Sequence, residues 1–159
     1  MVRPRQLLPP PRSRTNKLTS SHQQLNRNIV PTFYRYLQAQ ELDKQIEHAE
    51  ELKSEISKIV DASHPHGPFF LGPHISFVDV QFAPWMLRLS RVLKPYRGWP
   101  DPELGSRWGA WLEAVENDEA VRATTSEEEL YLDSYERYAG TRPFSSSRAV
   151  LVKCLNGKT

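Results

Sequence analysis

The stretch from Gly67 to Trp85 constrains the fold most, because it joins a loop rich in Gly and Pro to the start of an apolar helix. Ser76 stands three residues before Asp79, which is the Ser-x-x-acid spacing of a helix capping box. In a capping box the Ser76 hydroxyl accepts from the backbone N–H of Asp79, and the carboxylate accepts from the N–H of Ser76. The following residues are apolar on nearly every face, so the pattern predicts a central helix over residues 76–92, buried on most sides.

Two residues of this predicted helix differ from their neighbours. Pro84 has no N–H to donate, so we expect it to bend the helix. Arg88 is a charge on an apolar helix, which places it at the rim of the core or beside a polar cleft. The residues by themselves therefore indicate a helical domain with a cleft near Arg88.

Apolar residues at helical spacing predict further helices on both sides of this one. The predicted spans are residues 26–39, 42–60, 102–116, 119–123 and 127–139. Neither a βαβ alternation nor a period of two occurs in the sequence, so we predict an all-α fold.

Three local features refine the predicted helices. In 42–60 the charged face, which includes Glu55, is expected to be solvated. Asp101 and Pro102 look like the N-cap and first residue of the next helix, with Leu104 on its apolar face. Ser126-x-x-Glu129 has the spacing of a second capping box.

Length, cysteine content and charge narrow the class of protein. With 159 residues the chain is long enough for one domain with a core, and a single Cys cannot form an intramolecular disulfide. No apolar run approaches the length that spans a bilayer, so we expect no membrane association. Residues 1–28 hold six of the 21 Lys and Arg and no acid, which leaves 15 basic residues against 19 acidic ones, a net charge of −4, for the remainder.

The basic, Pro-rich composition of residues 1–25 predicts a disordered leader. Because it is rich in Arg and Ser and free of acid, a mitochondrial presequence is one interpretation. A solvated leader or a start codon assigned too early is the other. Nucleic-acid binding is not favoured, because no folded basic face accompanies the leader.

The sequence offers no established catalytic constellation: it has no Gly-rich phosphate loop and no nucleophile elbow. His64 and His66, with His74 nearby, suggest a metal site, but they lie in a Pro-rich loop without a spaced Cys or acid, so we predict none. Cys154 follows Lys153, which could lower its thiol pKa, yet no His lies near it in sequence. We interpret it as an incidental thiol and assign no catalytic residue.

Several motifs resemble the C-terminal domain of the glutathione S-transferase superfamily, in particular the omega-like transferases of fungi. They are Pro-Phe-Phe-Leu-Gly, Ile-Ser-Phe-Val-Asp-Val and Ala-Pro-Trp-Met-Leu-Arg-Leu, supported by residues 31–40, 96–100, 111–115, 121–124 and 131–138. These motifs cover about residues 26–143 in the family's order, and residues 144–159 diverge from it. The resemblance implies an all-helical bundle, in which Ser76 and Asp79 match a capping motif that serves folding rather than catalysis.

The resemblance also implies a binding site. Arg88 matches an arginine at the rim of the family's hydrophobic substrate pocket. Tyr34, Leu130 and Tyr131 lie on helices that form pocket walls in the family. The implied co-substrate is glutathione, and the implied second substrate is a small hydrophobic electrophile.

The thioredoxin-like domain that binds glutathione in this family has no counterpart in the 159 residues. We therefore expect the chain to supply the hydrophobic-acceptor half of a glutathione-dependent transferase or thiol reductase, and to be inactive alone. The alternative is a non-catalytic helical module that binds a protein or an apolar ligand. A homodimer or other self-association and a cytoplasmic location are further expectations from the resemblance.

Overall fold

A computed structural model describes residues 24–140, which contain six helices. These residues form no β-strand, and their β-pairing is limited to an isolated bridge between Phe69 and Gly72. The predicted all-α fold is therefore confirmed for the described part of the chain. The leader and the tail beyond residue 140 lie outside the described residues. The helices are α1 (a π-helical turn, Leu25–Ile29, then Val30–Gln38), α2 (Leu42–Ala62), α3 (Phe77–Arg88, a π-helical turn at Leu89–Leu93, then Lys94–Arg97), α4 (Arg107–Asn117), α5 (Glu119–Thr124) and α6 (Glu128–Ala139).

Helix α3 begins where the capping box places it. Ser76 is the N-cap residue, and Asp79 Oδ2 accepts from its backbone N–H at 2.7 Å and from its hydroxyl. The other oxygen, Oδ1, accepts from the N–H of Phe70 at 2.8 Å and from the indole N–H of Trp111 at 2.6 Å. The fully buried Asp79 carboxylate therefore fixes the start of α3, the preceding loop and α4 to one another.

The prediction that the start of α3 is buried on most sides is wrong for one face of its first turn. Phe77 and Val80 are 60% and 54% exposed, and Ile75 is also exposed. The capping box turns Val78 and Phe82 toward the core, and residues on the opposite side of this first turn then face outward.

Helix α3 is also longer than predicted. The segment expected to be a loop after Val92 continues as the π-helical turn and the last helical turn, and ends at Gly98 with φ 70°. Pro95 lies in the first turn of that last segment, where its missing N–H is tolerated.

Two predicted helix starts are wrong. Helix α4 begins after Ser106, whose Oγ accepts from the N–H of Gly109 at 3.0 Å, and not at Asp101. Leu104 consequently lies in the preceding turn and is fully exposed. Helix α6 begins after Glu127 without a side-chain cap, so the second capping box at Ser126 does not form.

Glu55 is buried rather than solvated, which corrects the prediction for the charged face of α2. Its Oε2 accepts from Asn28 Nδ2 at 2.9 Å and from Gln24 Nε2 at 3.3 Å, and its Oε1 accepts from Lys58. Burial by itself raises the pKa of Glu55, but these hydrogen bonds stabilise the carboxylate and leave the pKa below its ordinary value.

A candidate binding cavity beside Arg88

A cavity of about 770 Å³ lies between α3, α5 and α6, with Tyr34 of α1 contributing to its wall. Its volume is within the range of small-molecule sites in proteins. The four residues predicted to bind substrate, Arg88, Tyr34, Leu130 and Tyr131, all line this one cavity. The structure thus brings together residues that lie up to 97 positions apart in the sequence, the distance from Tyr34 to Tyr131.

Two hydrogen bonds fix the orientation of Arg88. Its Nε donates to the hydroxyl of Tyr135 at 2.6 Å, and its NH1 donates to the carbonyl of Pro84, one helical turn earlier, at 2.7 Å. The guanidinium carbon lies 5.4 Å from the ring centre of Trp85, 5.6 Å from that of Tyr131 and 5.8 Å from that of Tyr135. A cation within about 6 Å of an aromatic face is attracted to it. The charge expected at a polar cleft is therefore held among aromatic rings.

Tyr34 lies in the same aromatic group. Its ring is stacked on Tyr135 at 6.5 Å and contacts Trp85 at 6.1 Å and Tyr138 at 6.0 Å, measured between ring centres. Burial raises the pKa of Tyr34 to about 12, and the hydrogen bond with Tyr135 adds to the increase. The phenol therefore stays protonated at neutral pH and presents a neutral hydroxyl, which can donate or accept.

Trp85, Tyr135 and Tyr138 also belong to this aromatic group, although no sequence pattern assigned them to the site. Tyr131, Tyr135 and Tyr138 are spaced by four and three residues, which places them on one face of the helix. That spacing next to a lone Arg on a neighbouring helix is the signal that could have found the group.

The two ends of the cavity differ in character. Leu130 is 55% exposed and forms part of the apolar rim together with Ile75 and Val80. The lining near α5 is mixed. It combines Ala120 and Val121 with the hydroxyl-bearing residues Thr124, Thr125 and Ser126.

The charged residues that line the cavity are both cationic. Arg88 and Arg137 are among the lining residues, which include no Asp, Glu, His or Cys in the described part of the chain. The walls can therefore bind an aromatic ligand and donate hydrogen bonds to electron-rich oxygen, but they offer no thiolate or imidazole as a nucleophile.

The His-rich loop does not contribute to the cavity. His64 Nδ1 accepts backbone N–H groups of His66 at 3.2 Å and Gly67 at 2.9 Å, so its role is to fold the loop. Among residues 24–140, no group of three His, Cys, Asp or Glu is placed to hold a metal ion. Over the same residues, no helix is long and apolar enough to cross a membrane.

Comparison with known families decides what kind of domain holds this cavity. A family model described as "Glutathione S-transferase, C-terminal domain" matches residues 31–114. The chain belongs to this family. The match includes the capping box and Arg88, while Leu130 and Tyr131 lie beyond its end.

Individual glutathione transferases agree with the family assignment. A probable cytosolic glutathione S-transferase, DHAR1, of Oryza sativa subsp. japonica is 29% identical over 101 residues, which are 64% of this chain and 46% of the rice protein. The crystal structure of glutathione transferase Omega 3C from Trametes versicolor superimposes with a TM-score of 0.70 at 36% identity, over 86% of this chain and 57% of that one. This glutathione transferase domain therefore spans about half of the length of these two relatives, and its likeness to an omega transferase fits the motifs seen in the sequence.

Proposed function

We propose that this chain supplies the acceptor-binding half of a glutathione-dependent transferase or thiol reductase, and that the cavity beside Arg88 binds the hydrophobic second substrate. The observation that carries the proposal is the aromatic group around the Arg88 guanidinium, which opens into a cavity of about 770 Å³. A small aromatic electrophile fits such walls, because aromatic pairs add a geometric preference to the burial of apolar area.

Arg88 and Tyr34 have complementary roles in this proposal. In a transfer reaction the glutathione thiolate forms a bond to an electrophilic carbon, and the electron pair moves to a leaving group or to a conjugated oxygen. A guanidinium and a neutral phenol near that atom can donate hydrogen bonds to the developing negative charge. A guanidinium has five N–H donors, and Tyr135 and Pro84 account for two interactions, so Arg88 has the capacity to contact a ligand as well.

The cavity lining contains no cysteine, so the thiolate in this proposal belongs to glutathione or to a cysteine of a glutathione-binding domain. We therefore expect the purified chain to bind an aromatic electrophile such as 1-chloro-2,4-dinitrobenzene without conjugating it to glutathione. Conjugation is expected only when a glutathione-binding domain is supplied.

Ligand binding monitored by NMR, with an inert nitroaromatic, tests the proposal. Arg88→Ala and Tyr34→Ala should each weaken binding at least several-fold. Arg122→Ala is the matched control, because this Arg of α5 is exposed and does not line the cavity. Turnover by the chain alone, or equal affinity in all three variants, contradicts the proposal.

A non-catalytic binding module is the second candidate, and the exposed side chains at the start of α3 favour it. Ile75, Phe77 and Val80 are exposed apolar side chains, which suit a protein surface, and Ile75 and Val80 also line the cavity. A Phe77→Ser variant separates the candidates, because Phe77 is 60% exposed and does not line the cavity. It should abolish self-association in sedimentation if this surface is an interface, and it should leave the monomer's ligand affinity unchanged if the acceptor site is separate.

Some finer expectations are part of the proposal. They are an omega-like enzyme of the fungal type, a homodimer, a cytoplasmic location and a transferase domain over residues 26–143. The likeness to omega transferase 3C and to a rice protein described as cytosolic supports the first and third of these.

A further inference from the structure

A second cavity, of about 240 Å³, lies between the C-terminal half of α2 and the loop before α4. It shares no lining residue with the cavity beside Arg88. Its apolar floor is formed by two tryptophans, two prolines and two aliphatic residues: Trp99, Trp108, Pro100, Pro102, Ile56 and Val60. We refer to this site as the tryptophan groove.

The rim of the tryptophan groove is acidic. Asp61, Asp101 and Glu103 line it together with a single cation, Lys53. Asp101 also forms an ion pair with Lys94 at 2.7 Å. Because Lys94 neutralises Asp101, Asp61 and Glu103 face Lys53 alone, and this excess of negative charge favours a ligand that carries positive charge beside an apolar body.

The N-terminal leader has the composition that complements this groove. Residues 1–23 contain five Lys or Arg and no Asp or Glu. They also contain the run Pro9-Pro10-Pro11, which is followed directly by Arg12. Consecutive prolines favour the polyproline II conformation, and aromatic-lined grooves bind such segments with little loss of entropy.

The leader joins the described structure at α2, which forms one wall of the groove, on the face of that helix opposite Lys53 and Ser57. The side chain of Gln24 donates to the backbone carbonyl of Glu55 at 3.2 Å and to its Oε2 at 3.3 Å. Glu55 directly precedes Ile56 of the groove floor. Pro11 is 13 residues before Gln24, and a segment of that length reaches about 40 Å at about 3 Å per residue. Such a tether holds the proline run near the groove at a high effective concentration.

We propose that the tryptophan groove binds the chain's own Pro9–Pro11 run, with Arg12 and Arg14 facing the acidic rim. This inference goes beyond the proposed function, because it concerns a different surface and needs neither glutathione nor an acceptor. A contact of this kind makes the leader an intramolecular ligand of the domain.

The indole N–H resonances of the full chain, labelled with ¹⁵N, test the proposal. Replacing Pro9, Pro10 and Pro11 together by Ser should shift the resonances of Trp99 and Trp108 and leave that of Trp85, beside Arg88, in place. The matched control replaces Thr19, Ser20 and Ser21 by Gly, which retains every proline and charge, and it should shift none of the three. The substitutions lie outside the described domain, so they leave its core intact.

A second pair of variants addresses the rim. In the background of Asp61→Lys and Glu103→Lys, the serine substitutions should no longer change the Trp99 and Trp108 resonances, because the leader is already displaced. High salt should have the same effect. Both residues are exposed, and retention of the remaining spectrum reports an intact fold.

Three results overturn the proposal. The first is a spectrum of the triple Ser variant that is identical to that of the natural chain. The second is a change that disappears on dilution, which identifies a second copy of the chain as the occupant. The third is a shift of Trp85 equal to those of Trp99 and Trp108, which indicates a general effect on the core.

Discussion

The Nε of Arg88 donates to the hydroxyl of Tyr135 at 2.6 Å, and this bond joins α3 to α6 across the candidate cavity. The same tyrosine ring lies 5.8 Å from the guanidinium carbon and stacks on Tyr34. One residue of α6 therefore orients both the cationic and the phenolic group of the site. Such preorganisation matters for function, because a side chain held in place loses less entropy when a ligand binds.

Tyr135→Phe should free the Arg88 guanidinium while retaining the ring. We expect the free energy of unfolding to fall by about 1 kcal/mol, the usual net value for one hydrogen bond. The affinity for an aromatic ligand should fall several-fold, because Arg88 then samples more orientations. Urea unfolding and NMR titration measure the two effects.

Tyr138→Phe is the control for this substitution. Tyr138 also lines the cavity, but its hydroxyl accepts from Arg137 at 3.0 Å and has no bond to Arg88. Equal loss of affinity in both variants would show that Tyr135 has no special role in orienting the guanidinium.

The raised pKa of Tyr34 makes stability depend on alkaline pH. Its folded pKa is about 12, compared with an ordinary value of 10.0, because burial disfavours the phenolate. The stabilisation from the neutral phenol is therefore complete below pH 10 and is lost as the pH rises through the range from 10 to 12. Tyr34→Phe should flatten this part of the stability profile.

The ultraviolet absorbance of the tyrosinate anion, which increases as each tyrosine loses its proton, measures the titration of Tyr34 directly. Burial raises the pKa of Tyr96 as well, so the natural chain should show two tyrosines that titrate later than the ordinary ones, and Tyr34→Phe should lose one of them. Identical titration curves for the two proteins would contradict the assignment.

Asp79→Asn should destabilise the domain without changing its shape. The buried carboxylate accepts from Ser76, Phe70 and Trp111, and an amide presents N–H groups to part of this set of donors. We expect a loss of about 3 kcal/mol in the free energy of unfolding, since a bond to a charged group is worth about 1.5–3 kcal/mol. Asp133→Asn, on the exposed face of α6, is the matched control and should change it by less than about 0.5 kcal/mol.

The start of α3 and the special position of Arg88 were the most predictable parts of the molecule. The Ser76 and Asp79 spacing is a local signal, and it depends only on backbone geometry within one turn. Arg88 was identifiable because a charge on an apolar helix needs a special environment. The family resemblance then supplied Tyr34, Leu130 and Tyr131, which no local pattern connects.

The errors arose where tertiary contacts override local preference. Glu55 looks like a solvated residue in the sequence, yet Gln24 and Asn28, about thirty positions earlier, satisfy its carboxylate in a buried site. Asp101-Pro102 is a plausible helix start, but Gly105 takes a φ of 75° and Ser106 caps the helix that actually forms. Neither outcome is encoded within the few residues that a helix pattern covers.

Leu104 and Leu112 provide a test of the corrected start of α4. Leu104 is fully exposed in the turn before the helix, whereas Leu112 is packed in the core. Leu104→Ser should therefore change the free energy of unfolding by less than about 0.5 kcal/mol. Leu112→Ala should lower it by about 2–4 kcal/mol, the usual cost of a truncated core leucine. A large decrease in the free energy of unfolding of Leu104→Ser would instead support the longer helix that was predicted to begin after Asp101.

Arg97 shows how a single buried cation can hold helix ends together. Its guanidinium donates to the backbone carbonyls of Tyr36 at 3.3 Å, of Leu37, and of Ala139 at 2.7 Å. These carbonyls lie in the last turns of α1 and α6, where the helix dipole places negative charge and where carbonyls lack helical donors. No sequence pattern indicates this role, because Arg97 lies beyond residue 92, the predicted end of the helix.

Arg97→Lys should therefore destabilise the fold although it retains the charge. A lysine ammonium is a compact point charge and cannot reach the same carbonyls in a planar fork. We expect the free energy of unfolding to fall by about 3 kcal/mol or more, because buried carbonyls without donors cost about 1–3 kcal/mol each.

Hydrogen exchange in the Arg97→Lys variant should accelerate first in the last turn of α6. The cavity beside Arg88 should also lose ligand affinity, because Tyr135 and Tyr138 become less ordered. Arg122→Lys, at an exposed site of α5, should leave exchange in α6 unchanged, and equal acceleration in both variants would refute the proposed role of Arg97.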